Sequence, residues 1–272
     1  MLLRERFKTV GWCEIDKFCQ KLYRAYYKPE GEYFKEDILA IDPDELPDFD
    51  IITAGVPCQP FSIAGRREGL RDERGLPLWE KFFEIIKAKQ PEIIVIENVK
   101  GLLSSSRGWD FAYILNKMDE SGYDAEWDVL NSKDFGVPQN RERVFIIGHL
   151  RGKSRRKVFP LKESDRICYS PPKKAQGKRP RLRNPSDICR TIDANYWKGR
   201  GSRTHIAMVR NGKIRVRMLT PLECFRLQGF PDDICSVAKE LRISDTQLYK
   251  MIGNAVTVQV VQSIARKIAQ QS

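Results

Sequence analysis

From Phe7 to about Leu150, short apolar runs alternate with amphipathic stretches. Val10-Gly11-Trp12-Cys13 predicts a strand ending at Glu14, and Lys17 to Tyr27 a helix with Phe18, Leu22 and Tyr26 on one face. Asp50–Ala54 and Glu92–Ile96 are apolar runs of strand length, expected to be buried. Between them, Leu78–Lys89 has helical spacing, with Leu78, Phe82, Ile85 and Ile86 directed inward. A helix over Phe111–Glu120 and strands near Glu126–Leu130 and Val144–Gly148 follow. Strands without a polar face, alternating with helices, imply a mostly parallel sheet covered on both faces. Strand, helix, strand is one right-handed crossover, which makes 50–54 and 92–96 close neighbours.

The pattern changes after Leu150. The stretch to about Arg210 is rich in Pro, Lys and Arg, with weak periodicity. Regular spacing returns at Thr220–Leu227, and a last helix spans about Val256–Ala269, with Val256, Val260, Val261, Ile264 and Ile268 at helical spacing. The simplest organisation is an α/β domain over 1–150, a small basic insertion over 151–214, and a C-terminal segment, 215–272, that packs back on the first part.

Composition narrows the class. The 272 residues are 41% hydrophobic, enough for a full core. No uncharged apolar run approaches the roughly 20 residues of a membrane span. Seven cysteines without a C-x-x-C pair, beside two histidines, support neither a structural zinc site nor a disulfide framework. Reduced thiols in the cytoplasm are expected. The net charge of +12 suits a polyanionic partner. Between Arg151 and Arg183 thirteen Lys/Arg face only Glu163 and Asp165, so nearly all of the excess lies in one segment. A solvated basic loop would look the same.

Three elements carry candidate chemistry. Gly55-Val56-Pro57-Cys58-Gln59-Pro60 follows a strand directly, so Cys58 sits just past a carboxyl end, where open α/β sheets bind ligands. Flanking prolines stiffen that loop. Cys58 reads as a reactive thiol or as an inert loop cysteine. Glu97-Asn98-Val99 follows the neighbouring strand in the same way, placing a carboxyl group at the same edge, either for proton transfer or as a loop carboxylate. Gln139-Asn140-Arg141-Glu142-Arg143 enters a later strand, and alternation puts Gln139, Arg141 and Arg143 on one side. That face suits an anion or an acceptor-rich base, or is an ordinary charged strand end.

In this order, Pro-Cys-Gln, Glu-Asn-Val and Gln-x-Arg-x-Arg resemble the DNA cytosine-5 methyltransferase family. Arg217 to Pro231 and Gly253-Asn254-Ala255-Val256 resemble two further blocks of that family. The resemblance covers nearly all of the chain except the basic insertion. It implies a Rossmann-like S-adenosylmethionine-dependent methyltransferase sheet with a small target-recognition insertion. Cys58 would add to carbon 6 of a flipped cytosine, Glu97 would bind or protonate ring nitrogen 3, Arg143 would hold the base carbonyl, and Arg141 would buttress the site.

The resemblance also implies S-adenosylmethionine as cofactor, without a metal. Glu14 would bind its ribose, Ile15 pack on its adenine and Asp37, beside Ile38, read the adenine amino group, with Pro57, Leu78, Asn254 and Val256 completing the pocket. Double-stranded DNA is the implied partner. Gln59, Ser62 and Arg66 on a closing loop over 59–74, together with Gln139, Tyr196 and Lys198, would touch it. Tyr196 and Trp197 could equally be folding elements at the hinge. A monomer is expected, with a restriction endonuclease acting on the same DNA site as an implied further partner.

One departure stands out. The family begins with a strand and a glycine-rich Phe-x-Gly-x-Gly turn around the cofactor's methionine end, placed between the strands ending at Glu14 and Ala54. Met1–Phe7 does not carry it. The chain as given is therefore expected to bind S-adenosylmethionine weakly or not at all; micromolar binding in calorimetry would overturn that expectation. A catalytically silent DNA-binding remnant is the alternative reading. An RNA cytosine methyltransferase fits less well, since that branch carries Thr at the place of Ser62. A thiol hydrolase fits least, with no histidine near Cys58.

Overall fold

Helix α1 (Lys17–Tyr27) starts where the Asp16 carboxylate accepts the Phe18 and Cys19 amides. The helix faces the short parallel pair β1 (Gly11–Cys13) and β2 (Tyr33–Lys35), where Trp12 and Phe34 lie 4.2 Å apart, ring to ring, beneath the Arg24 guanidinium. This computed structural model describes residues 7–57, 75–153, 157–162, 188–198, 205–210 and 213–270, and side chains of 206–216 are left aside.

The main sheet has the order β3-β4-β7-β5, formed by β3 (Ile51–Ala54), β4 (Ile93–Val99), β5 (Tyr123–Asn131) and β7 (Glu142–Leu150). Helix α2 (Leu76–Lys89) joins β3 to β4, which pair in parallel as the crossover predicts. The mostly parallel sheet expected is mixed beyond that pair, because β7 is antiparallel to both β4 and β5. No α-helix joins β5 to β7, only residues 132–141 with one 3-10 turn (Ser132–Phe135), and so short a link returns the chain in the opposite direction. α3 (Trp109–Glu120) connects β4 to β5. β3 was expected to be fully buried, yet its residues are only partly covered and Thr53 is exposed. Among the described residues β3 pairs on one side alone, and β1–β2 forms a separate sheet.

Three apolar clusters hold these parts. Trp79, Phe82, Phe83 and Ile86 of α2 pack on Ile94, Ile96, Val144 and Ile146, with Ile114 and Met118 of α3. Each such side chain contributes roughly 1.5–3 kcal/mol by leaving water. On the sheet's other face, Val260, Ile264 and Ile268 of α7 (Val258–Ala269) meet Ile93, Phe145 and Ile147, so the C-terminal helix does return to the first part. Val261, expected inside, is exposed. Val158, Phe159 and Leu161 join this cluster, so the first residues past 151 belong to the body.

The third cluster contains Leu22, Ile192, Tyr196 and α4 (Pro221–Leu227), with α5 (Asp232–Glu240) and α6 (Asp245–Asn254). α4 carries a capping box between Thr220 and Glu223. The two-residue strands β6 (Gln139–Asn140) and β8 (Cys189–Arg190) pair in parallel, and β9 (His205–Arg210) and β10 (Lys213–Met218) form a hairpin. Among the described residues no helix is long and apolar enough to cross a membrane, and no cluster of His, Cys, Asp and Glu could hold a metal.

Candidate active site

The carboxyl end of β4 gathers the site. Glu97 lies within that strand rather than after it, opposite Phe145 of β7, while Val99 faces Arg143. Because β7 is antiparallel, its first residues meet the last of β4, and Arg143 Nε comes to 3.1 Å from Glu97 Oε1. The pair is largely shielded, with 17% and 16% of the two side chains exposed. The contact is misaligned for a hydrogen bond, and Glu97 Oε1 accepts none. Burial pushes the Glu97 carboxyl above the usual carboxylate range, against the pull of Arg143 and Arg141. An acid that keeps its proton more readily can donate it to a ring nitrogen.

The loop leading to Cys58 runs beside this acid. A Cβ placed on Gly55 would meet Glu97 Oε2 at 3.9 Å, so the carboxyl group lies over the loop's first residue. Asn98, buried in the same strand, donates through Nδ2 to the Val56 carbonyl at 3.2 Å, two residues before Cys58. Sequence reading assigned Asn98 no role, although it stands between two residues that were weighed. We expect Asn98→Ala to leave a buried carbonyl unpartnered and lower stability by about 1–3 kcal/mol in urea unfolding. Cys58, Gln59, Ser62 and Arg66, and the closing loop proposed for 59–74, lie outside the described residues.

The polar face expected over Gln139, Arg141 and Arg143 divides. β6 ends at Asn140 and β7 begins at Glu142, so Arg141 occupies a break, with its amide donating to Asn131 Oδ1. Its buried guanidinium donates to the carbonyls of Ile192 (2.9 Å), Gly253 (3.1 Å) and Ala255 (2.8 Å). Gln139 is fully buried; it donates to the Leu227 carbonyl and accepts from the Ile192 amide. It therefore cannot be the DNA contact expected of it: both ends of its amide are occupied inside the protein. Tyr196 is corrected for the same reason, since it is core and its hydroxyl accepts from the Leu219 amide. Its neighbours Trp197 and Lys198 are exposed instead, with Lys198 Nζ 5.5 Å from the Trp197 ring centre.

A buried network extends this fastening. Gln228 donates to the Ile252 carbonyl at 3.0 Å and accepts from Thr257 Oγ1, which also meets Ser132 Oγ at 2.7 Å. Segments 132–141, 192–194, 227–228 and 252–257 are thereby tied together.

Four of the residues expected to hold the cofactor, Glu14, Ile15, Asp37 and Ile38, follow the carboxyl ends of β1 and β2. Ile15 is 67% exposed, and Leu39, which sequence reading passed over, is 47% exposed. Parallel pairing of Cys13 with Lys35 brings Ile15 level with Asp37. Asp37 caps the Leu39 amide and Glu14 accepts from the Asp16 amide at 2.7 Å. Exposed apolar side chains beside carboxylates suit a planar, amino-bearing ring, so the adenosine end of a nucleoside fits these residues. Ile38 and Leu78 are partly buried against the α2 core, Pro57 and Asn254 are exposed, and Val256 packs toward α7.

Comparison with known proteins decides the family. Residues 2–198 and 172–270 match the C-5 cytosine-specific DNA methylase family. The chain belongs to that family. It is 34% identical over 297 residues to the Type II methyltransferase M.Bsp6I of Bacillus sp. (strain RFL6), covering 96% of this chain and 91% of the relative. It is 37% identical over 286 residues to M.SsoII of Shigella sonnei, covering 94% and 72%. Among solved structures, the S. pombe Dnmt2 methyltransferase superposes with a TM-score of 0.68 at 20% identity, over 96% of this chain and 91% of that one. At that identity the likeness speaks for the fold, that of a methyltransferase with a mixed sheet. Enzymes of this family draw their methyl group from S-adenosylmethionine.

Proposed function

We propose that this C-5 cytosine methylase acts on double-stranded DNA in a restriction-modification setting, with Cys58 as nucleophile and Glu97 as acid. The observation that carries the reading is Glu97: shielded, with its carboxyl pKa raised, beside Arg143 and over the loop that leads to Cys58. The stretch within 151–214 that lies beyond the packed residues 158–161 serves as target-recognition region, its cations meeting phosphates. Lys198 contacts DNA there, and Trp197 replaces Tyr196 in that role.

The chemistry follows from the residues. Carbon 5 of cytosine is a poor nucleophile. The target base leaves the stack, at a cost of a few kcal/mol. The Cys58 thiolate forms a bond to carbon 6 and the displaced electron pair runs toward nitrogen 3, which takes the Glu97 proton. The ring is then a neutral enamine, nucleophilic at carbon 5. Arg143 holds the base carbonyl, and Arg141 positions the strand that presents Arg143. S-adenosylmethionine supplies the methyl group when bound, with Glu14, Ile15 and Asp37 holding its adenosine end, and Leu39 added to that set. Once carbon 5 bears the methyl group, its proton leaves to water, that electron pair forms the 5,6 double bond and expels the Cys58 thiolate, and the Glu97 carboxylate takes back the nitrogen-3 proton.

Two readouts on one duplex test this. In D2O, addition at carbon 6 exchanges the carbon-5 hydrogen without any methyl donor; mass spectrometry of digested DNA reads that exchange, and 5-methylcytosine reads the full reaction. Exchange with methylation supports the complete enzyme. DNA binding with neither supports the silent remnant instead. Glu97→Gln should slow exchange about 10²–10⁴-fold. The pH profile carries a sign. Glu97 must be protonated, so exchange falls as pH rises through its raised pKa, and Glu97→Gln removes that alkaline limb. An unchanged limb would exclude Glu97 as the acid.

A further inference from the structure

We propose that the turn Arg107-Gly108-Trp109 is a second contact to duplex DNA, flanking the cytosine held at Glu97; this rests on the DNA-methyltransferase reading of that edge. Trp109 is 75% exposed, more than any other large apolar side chain among the described residues. A lone exposed ring is ordinary. The backbone beneath it and its place in the fold are not.

Ser106 (φ 48°), Arg107 (φ 59°) and Gly108 (φ 93°) are three successive left-handed residues, two of them with a Cβ that disfavours this conformation. Ser105 Oγ (2.5 Å) and Ser106 Oγ (2.9 Å) donate to Asp110 Oδ2, and Asp110 is buried. The turn is thus held from below by the first residues of α3. What it presents is an exposed cation and an exposed indole, neither of them part of the core. Arg107 makes no ion pair among the described residues.

Topology puts this pair at the candidate site's edge. β4 runs from Ile93 to Val99 and carries Glu97 near its end. α3 leads from the turn to β5, whose first residue, Tyr123, pairs with Leu150 at the opposite end of the sheet, where Ile93 meets His149. The start of α3 therefore shares the carboxyl edge of β4 with Glu97, Arg143 and Lys100, and Lys100 itself pairs with Glu142 at the start of β7. A flat ring beside a cation matches a sugar or base edge beside a phosphate, and DNA seated over Glu97 reaches this edge.

The test uses the purified full chain and a labelled duplex in anisotropy titrations over a salt series, with deuterium exchange at cytosine carbon 5 measured on the wild type. Trp109→Ala should bind about tenfold more weakly at fixed salt. Arg107→Ala should flatten the slope of log K against log salt by about 0.9, one phosphate contact. Trp127→Phe, on β5 with its half-exposed ring against Phe111 of α3, serves as control and binds like wild type. Circular dichroism and thermal midpoints of the variants should match wild type, since both side chains are exposed. Wild-type affinity and slope in both variants, while the wild type binds DNA and exchanges, would overturn the inference and leave the active-site reading standing. A wild type that neither binds duplex nor exchanges would overturn that reading, and this inference with it.

Discussion

Cys58→Ala should abolish carbon-5 hydrogen exchange on duplex DNA, a fall of at least ~10³-fold to the uncatalysed background. Exchange needs only addition to carbon 6 and protonation of the ring, so it isolates the thiol from methyl-donor binding. Among the described residues Cys13 and Cys19 are poor substitutes, because burial, followed by nearby carboxylates, pushes their thiols up to about 11 and about 12. Both remain protonated near pH 7, and a neutral thiol is a weak nucleophile. Cys224 is buried and shifted upward as well. DNA binding by Cys58→Ala should stay within a few-fold of wild type, because affinity comes mainly from phosphate contacts. Exchange that persists in the variant would remove Cys58 from the reaction.

How much of this was legible in the chain follows from what hydropathy can encode. The β3–α2–β4 unit was readable because apolar runs of strand length flank a helical period, and the crossover rule then makes the strands neighbours. That adjacency brought Glu97 beside Gly55, the first residue past β3. The sense of β7 was not readable, because it depends on a ten-residue link without an α-helix, and the period of an apolar run carries no direction. Helices α5 and α6 were passed over although signals exist: Asp232 and Asp233 follow Pro231, and Ser244 caps the Gln247 amide. Short amphipathic helices between polar loops give few periods to count.

Polar residues were the harder class. Gln139, Arg141 and Arg143 alternate, and alternation assigns them one face. It cannot say whether that face meets solvent or another segment. Gln139 and Arg141 meet residues 51 to 114 positions away, and such partners are invisible to a local pattern. Tyr196 and Trp197 show the same limit at adjacent positions: one hydroxyl finds the Leu219 amide and is buried, the other ring stays exposed.

Arg141→Ala should therefore damage the fold more than the chemistry. The Ile192 and Gly253 carbonyls would lose their donor inside the protein, and Ala255 would keep only the longer bond from Gln228 at 3.3 Å. At roughly 1–3 kcal/mol for each buried orphan, relieved in part by water, the loss is about 2–5 kcal/mol. That is a large share of the ~5–15 kcal/mol that holds a typical domain. Urea unfolding reads it directly; a loss below about 1 kcal/mol would show that these bonds do not fasten the segments.

Gly253→Ala attacks the same junction from the opposite side. An added Cβ would lie 2.2 Å from the Asp193 carbonyl carbon and 2.3 Å from the Ala194 nitrogen. Both are backbone atoms, so the segment carrying Ile192 must move, and its bond to Arg141 stretches. Because either change displaces the same segment, the double variant should lose less stability than the sum of the two single losses. Additive losses would mean that the guanidinium and the glycine hold separate structures.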